Sequence, residues 1–365
     1  MDKRIIISGG GTGGHVFPAI SIANALKSIE RDVIIHFVGA TGRLEMIKVP
    51  EAGYEISGLP VTGFERKLSP KSISVIIKLL KSLHLARKII SDFKPHVVVG
   101  VGGYASGPVL RIAQNKGIPT VLQEQNSYAG VTNKLLAKKA KVICVAYEGM
   151  EKFFPGEKII LTGNPVRKDL TNLDVKRKEA QEYFNLDKTL PVVLVLGGSG
   201  GSRTINESIA SGIERFQKNG IQIIWQTGKY YYESMKEKYE KSAGTLIHLH
   251  DFINRMDLAY AAADLVVSRA GAGTISELSI VGRAAILVPS SNVAGDHQTK
   301  NARALVMKNA ALMLADGESM NKLTDTVIKL IGDAKKIKSL SENISSMAFK
   351  NSDILIAKEI LKLAE

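Results

Sequence analysis

Cysteine is almost missing: the chain of 365 residues has one, Cys144. That excludes a disulfide framework and a cysteine-rich metal site, and it points to a reducing cytoplasm. Within the apolar run "KVICVAY" the residue reads as a buried strand thiol. No stretch reaches the ~18 uninterrupted apolar residues of a spanning helix. The start, "MDKRIIIS", breaks into glycine after a short apolar run, so no secretory signal is expected. Acidic residues are in short supply, 35 against 49 Lys and Arg, for a net charge of +14. Such an excess implies a negatively charged partner: nucleic acid, an anionic membrane face or a polyanionic substrate. Aromatic residues make up 6% and are not interleaved with Lys or Arg, so the stacking platforms of a nucleic-acid binder are lacking. The seven histidines show no metal-ligand spacing, and no Asp-x-Asp motif occurs; neither metal nor cofactor is expected.

What is present is a repeated pattern. Short β-branched runs such as "IIIS" (5–8), "VIIHFVG" (33–39), "HVVVGVGG" (96–103), "VVLVLGG" (192–198) and "LVVSRAG" (265–271) alternate with helical periodicity. Unbroken apolar runs fit strands covered on both faces, hence parallel sheets built from βαβ units. The length suits two domains at ~100–200 residues each. The halves echo each other: "ISGGGTGGHVFPAI" opens the first and "LGGSGGSRTINESI" the second, each a strand, a glycine loop and a helix. The reading is an α/β chain of two Rossmann-like domains, joined near "GNPVRKD" (163–169).

Gly9, Gly11 and Gly14 satisfy G-x-G-x-x-G. A dinucleotide site also needs an acidic residue at the tip of the second strand, and "HFVGATG" ends without one. No Lys-Ser or Lys-Thr closes the loop, so a P-loop is excluded as well. Bare amides at a helix N-terminus still make an anion site; the alternative is a tight βα turn in which the glycines serve packing. "GGSGGS" (197–202) repeats the arrangement with Ser199 and Ser202. A third loop, "SRAGAGTISEL" (268–278), carries Glu277, either a carboxylate for the two hydroxyls of a ribose or a surface residue complementing the helix dipole. His15 follows the first loop. A helix N-terminus disfavours the imidazolium, so this histidine is a candidate general base, or else a capping or packing residue.

Seven motifs then occur in order: "GGGTGGHVFPAI", "GVGGYASGPVL", "QEQNSYAGVTNKLLAKKA", "GNPVR", "GGSGGSRTIN", "HDFINRMDLAYAAADLVVSRAGAGTISEL" and "DHQTKNA". Together they resemble the MurG family of glycosyltransferases over essentially the whole chain. The resemblance implies the two-domain GT-B architecture: residues 1–163 as an acceptor- and membrane-facing domain, 164–345 as a UDP-sugar domain, and 346–365 as a helix packing back towards the first. It implies inverting transfer of N-acetylglucosamine from UDP-N-acetylglucosamine to the 4-hydroxyl of an undecaprenyl-linked N-acetylmuramoyl-pentapeptide, at the cytoplasmic face of the membrane. An alternative on the same architecture is a UDP-N-acetylglucosamine 2-epimerase. Carried over by motif, Thr12, Gly13, Gly14 and His15 face the acceptor cleft. Tyr104 and Asn126 resemble acceptor-side groups, Asn126 also a donor contact. Arg167, Ser199 and Asn206 resemble groups around the donor diphosphate and sugar. Ile253 would meet uracil through its backbone, Glu277 the ribose, and Gln298 the sugar. Two positions depart from some family members: Thr299 replaces a second glutamine, and Gln123 a histidine.

The positive charge is densest in "RKLSPKSISVIIKLLKSLHLARKIISDFK" (66–94). Ile73, Ile76, Ile77, Leu80 and Leu83 recur at helical spacing. They read as the face packed on the sheet beneath a solvated basic face, or as a surface for an anionic membrane.

Overall fold

A computed structural model describes residues 2–61, 71–170, 173–198, 200–239, 246–290, 293 and 296–365. The chain divides into two compact units, Met1–Val166 with Phe349–Glu365, and Arg167–Ala348.

The first unit is built from β1 (Arg4–Ser8), α1 (Gly13–Ile29), β2 (Ile34–Ala40), α2 (Glu45–Glu51), β3 (Glu55–Leu59), α3 (Lys71–Phe93), β4 (Val97–Gly100), α4 (Ser106–Asn115), β5 (Thr120–Glu124), α5 (Val131–Ala137), β6 (Val142–Val145) and β7 (Ile159–Leu161). The second runs through α6 (Arg177–Tyr183), β8 (Val192–Leu196), α7 (Arg203–Ala210), α8 (Ile213–Lys218), β9 (Gln222–Gln226), α9 (Tyr232–Tyr239), β10 (Ile247–His250), α10 (Met256–Ala262), β11 (Leu265–Ser268), α11 (Ala272–Val281), β12 (Ala284–Leu287), α12 (His297–Val306), β13 (Leu312–Met313), α13 (Asp316–Ile331) and α14 (Ala334–Ser346). The last helix, α15 (Ser352–Lys362), belongs to the first unit and packs along α1.

The sheets are ordered β3-β2-β1-β4-β5-β6-β7 and β10-β9-β8-β11-β12-β13. Every pairing is parallel, as the unbroken apolar runs require. The pleat divides each strand between two cores. Ile5 and Ile7 of β1 pack with α1 and α15, while Ile6 faces Ala86, Ile90, Val109 and Leu110 on the opposite side. In both sheets the strand order reverses between the first and fourth strands in chain order, β1/β4 and β8/β11. Ligands of such sheets bind beyond the carboxyl ends of the strands flanking that point.

Two strands escape the apolar-run signal. β3, "EISGL", alternates polar and apolar on the sheet edge, and β13 is two residues long. Helix α3 bears on the two readings of its apolar stripe. Ser82, Ala86 and Ile90 face inward, whereas Ile76, Ile77 and Leu80 are 52%, 50% and 61% exposed. The apolar stripe of its first turns therefore points outward, beside exposed Lys81, Arg87 and Lys88. Small residues face the protein here because α3 lies close against α4. Arg66, Lys67 and the side chains of Lys71 and Ile73 lie outside the described residues.

Candidate active site

In the first unit, the loops leaving β1 and β4 meet backbone to backbone. A Cβ at Gly103 would lie 2.3 Å from the Gly10 carbonyl, and Gly103 has φ +83°, so no other residue fits. Thr12 caps α1 in an extended conformation, but its hydroxyl does not cap the helix amides. Its Oγ1 lies instead 3.4 Å from Nδ1 of His15. On its other edge the imidazole rests over Gly102, where a Cβ would approach Nε2 to 2.9 Å. The ring is held between a hydroxyl on Nδ1 and a bare backbone beside Nε2. Gly13 and Gly14 are the first two residues of the helix, positions whose amides have no acceptor within a helix.

One amide of this loop is not open, contrary to the expectation for a bare anion loop. Gly11 N–H donates to Glu45 Oε2 (2.8 Å), and Ala40 N–H donates to Oε1 of the same carboxylate (2.9 Å). An acidic group therefore does stand at the tip of the second strand. It is buried under the loop with both oxygens taken by backbone amides, which is not the exposed carboxylate that a dinucleotide's ribose requires.

Tyr104, just before α4, is 53% exposed. Asn126 is set by a second buried carboxylate. Glu124 Oε1 accepts its backbone N–H (3.1 Å) and its side-chain amide (3.3 Å), while Oε2 accepts from Gly130 N–H and Asn133 Nδ2, each at 2.9 Å. Glu124 thus shapes the whole turn from β5 to α5. Gln123, where some family members carry histidine, is fully buried and donates to Asn164 Oδ1 (2.9 Å).

In the second unit, Glu277 lies on α11 with both carboxylate oxygens engaged. Arg167 Nε donates to Oε1 and the Tyr260 hydroxyl to Oε2, each at 3.1 Å. Burial raises its pKa above the ordinary carboxylate value, opposed by the Arg167 charge. Tyr260 is wholly enclosed, and its phenol is pushed well up by burial and by the facing carboxylate. Arg167 and Glu277, separate in sequence, are therefore one ion pair. Each Glu277 oxygen keeps lone-pair capacity for a further donor.

Asn206 is fully buried. Its Nδ2 donates to the Thr227 carbonyl (2.9 Å), and its Oδ1 accepts from Trp225 Nε1 (3.0 Å). It braces the interior behind the glycine loop. Ile253 is buried, and its N–H donates to Gln226 Oε1 (2.9 Å), which leaves its carbonyl as the backbone group to offer a base. Gln226 also donates to the Gly198 carbonyl (3.2 Å), tying the β8 loop to the β10–α10 connection. Ser202 caps α7 by accepting from Ile205 N–H. Ser199 lies outside the described residues. Gln298 Oε1 accepts from Ser290 N–H (2.8 Å), which directs its NH2 end to other partners.

Sequence reasoning passed over Glu45, Glu124, Gln226 and Tyr260. Glu124 and Tyr260 stood inside quoted motifs, but Glu45 and Gln226 carry no local signal, because their partners are distant in the chain. Among the described residues, no group of three or more His, Cys, Asp or Glu is placed to hold a metal ion. Nor is any helix there long and apolar enough to cross a membrane.

Residues 5–145 match the Glycosyltransferase family 28 N-terminal domain and residues 192–358 the Glycosyltransferase family 28 C-terminal domain. A curated relative from Phocaeicola vulgatus, named UDP-N-acetylglucosamine–N-acetylmuramyl-(pentapeptide) pyrophosphoryl-undecaprenol N-acetylglucosamine transferase, is 57% identical over 99% of this chain and 96% of its own. The crystal structure of Acinetobacter baumannii MurG matches with a TM-score of 0.80 at 27% identity, covering 99% of both chains. A UDP-GlcNAc 2-epimerase from Neisseria meningitidis, bound to UDP-GlcNAc, matches with a TM-score of 0.68 at 14% identity, covering 99% of this chain and 100% of that one; it shares the fold alone. With both of its units matched and a relative identical at more than half of the aligned positions, this chain is a glycosyltransferase and belongs to family 28, the family of the MurG enzymes.

Proposed function

We propose that this enzyme transfers N-acetylglucosamine from UDP-N-acetylglucosamine to the 4-hydroxyl of a lipid-linked N-acetylmuramoyl-pentapeptide, inverting the anomeric centre. The observation that carries the reading is the 57% identity, over 99% of the chain, to a relative named for that transfer. The acceptor oxygen forms its bond to the anomeric carbon as the bond to UDP breaks, through an oxocarbenium-like transition state. The hydroxyl proton passes to His15, whose ring is aimed by Thr12 and Gly102. Negative charge on the departing UDP is met by the amides at the starts of α7 and α11 and by Arg167.

Met1–Val166 with α15 is the acceptor unit, in which Thr12, Gly13, Gly14, Tyr104 and Asn126 line the binding surface. Arg167–Ala348 is the donor unit. There Glu277 takes the ribose hydroxyls, the Ile253 carbonyl the base, and Gln298 the sugar, and the motif that carries Ser199 assigns that residue to the diphosphate. Asn206 serves as a brace behind them. The outward Ile76, Ile77 and Leu80 of α3, flanked by Lys81, Arg87 and Lys88, support a peripheral seat on the anionic inner face of the cell membrane, where the lipid acceptor resides.

The test is UDP release coupled to a spectroscopic readout, with and without lipid acceptor. Release that requires the acceptor and continues in chelator supports the transferase. Acceptor-independent conversion of the donor sugar would establish the epimerase instead. His15→Ala should lower turnover by ~10²–10⁴; a loss under about tenfold withdraws the base role.

A further inference from the structure

Glu45 has no place in any motif, yet the residue is only 1% exposed. It opens α2, five residues past the end of β2. Its two oxygens take one amide from the loop leaving β1, Gly11, and one from the end of β2, Ala40. One side chain thus clamps two adjacent strand ends. Glycines make room for it: a Cβ at Gly10 would stand 2.1 Å from Oε1, and one at Gly39 would stand 2.5 Å from Cγ. The group has the wrong charge to contact a phosphate and lies beneath the loop, so it does not bind substrate. What it fixes is Gly11, the residue before Thr12, whose carbonyl accepts the His15 and Val16 amides (both 3.1 Å) and starts α1.

We propose that Glu45 is a positioning residue for the transfer. By holding Gly11 it sets the Thr12–His15 turn, so that the Gly13 and Gly14 amides and the imidazole are aimed before the acceptor arrives. The proposal rests on the reading of this loop as the acceptor side. Preorganisation of this kind matters because a misplacement of about 1 Å costs ~10²-fold in rate. Glutamine is not an equivalent here: two backbone N–H groups need two acceptor oxygens, and a carboxamide sets its own NH2 against one of them. Aspartate, one methylene shorter, reaches one amide and loses the other.

The test compares Glu45→Gln, Glu45→Asp and His15→Ala in the full chain, by amide hydrogen exchange, by kinetics with UDP-N-acetylglucosamine and lipid-linked acceptor, and by thermal unfolding. In the Glu45 variants, exchange of the peptide covering residues 9–17 should rise at least about tenfold while that of β4–β6 stays unchanged. The acceptor kcat/KM should fall about 10–100-fold, with the donor KM within about twofold of wild type. If the glutamine variant does not fold, the aspartate variant carries the comparison. Unchanged exchange at residues 9–17 in a folded variant overturns the proposal. So does an acceptor kcat/KM within about threefold of wild type, or a donor KM that rises in step with the acceptor loss. A fully active His15→Ala would defeat the reading of the loop, while exchange would still judge the clamp itself.

Discussion

Asn206 offers the sharpest separation between a ligand contact and an internal brace. Asn206→Ala strips the Trp225 indole N–H and the Thr227 carbonyl of their partner in a region from which water is excluded. A buried polar group left unsatisfied costs roughly 1–3 kcal/mol. Two such groups, partly relieved by local adjustment, should destabilise the second unit by about 3 kcal/mol. For a unit of about 180 residues each kcal/mol moves the melting temperature by roughly 2–4 °C, so a fall of about 6–12 °C is expected. Scanning calorimetry reads that fall, and the donor KM at 25 °C, well below the transition, should stay within about threefold of wild type. Trp225→Phe removes one of the two bonds, so its effect and that of Asn206→Ala should be less than additive in the double variant. A melting temperature lowered by less than about 2 °C, together with a donor KM raised tenfold or more, would refute the reasoning and make Asn206 a direct donor contact.

Three further outcomes follow from the second unit. Glu277→Ala should raise the donor KM with little change in turnover, and Tyr260→Phe, which removes one hydrogen bond to Oε2, should raise it about fivefold; lost turnover with donor binding intact would contradict the ribose assignment. Gly201→Ala should weaken UDP binding in calorimetric titration far more than Gly198→Ala. Both have positive φ, but only a Cβ at 201 meets a backbone atom, the Thr227 carbonyl at 2.1 Å; equal effects would remove the packing argument. Burial lowers the pKa of His248 and of His250, assisted at His248 by the neighbouring His250 and opposed at His250 by Asp251. With folded values below the ordinary 6.5, the unfolded chain binds protons that the folded unit refuses. Their stabilising contribution is therefore whole above about pH 6.5 and is lost as pH falls from there through the folded values. The melting temperature of the second unit should drop less between pH 7.5 and 5 in a His248→Gln/His250→Gln variant than in wild type; equal drops would count against it.

The pieces of the site differ in how far the sequence reveals them. Gly10, Thr12 and His15 are neighbours in the chain, so their loop is visible as a motif. Arg167 and Glu277 are both visible, each in its own motif, but their ion pair is not, since it joins residues far apart in the chain. Asn206 looks like a ligand residue because it follows a glycine loop. A helix turns a side chain through about 100° per residue, and only packing against β9 shows that this one points inward. The same holds for α3. Periodicity reveals its apolar stripe but not which side of the helix the sheet and α4 will cover.

By itself, the sequence determined the parallel α/β architecture, the paired halves with their glycine loops, and membership of the family, because these are local patterns of hydrophobicity and short motifs. Tertiary structure alone decided which polar groups face inward (Glu45 beneath its loop, Asn206 behind Trp225, Gln226 between two loops) and which apolar ones face outward (Ile76, Ile77 and Leu80). The physical reason is that a buried polar group must find its hydrogen-bond partner wherever the fold places one, and that partner is seldom near in the chain.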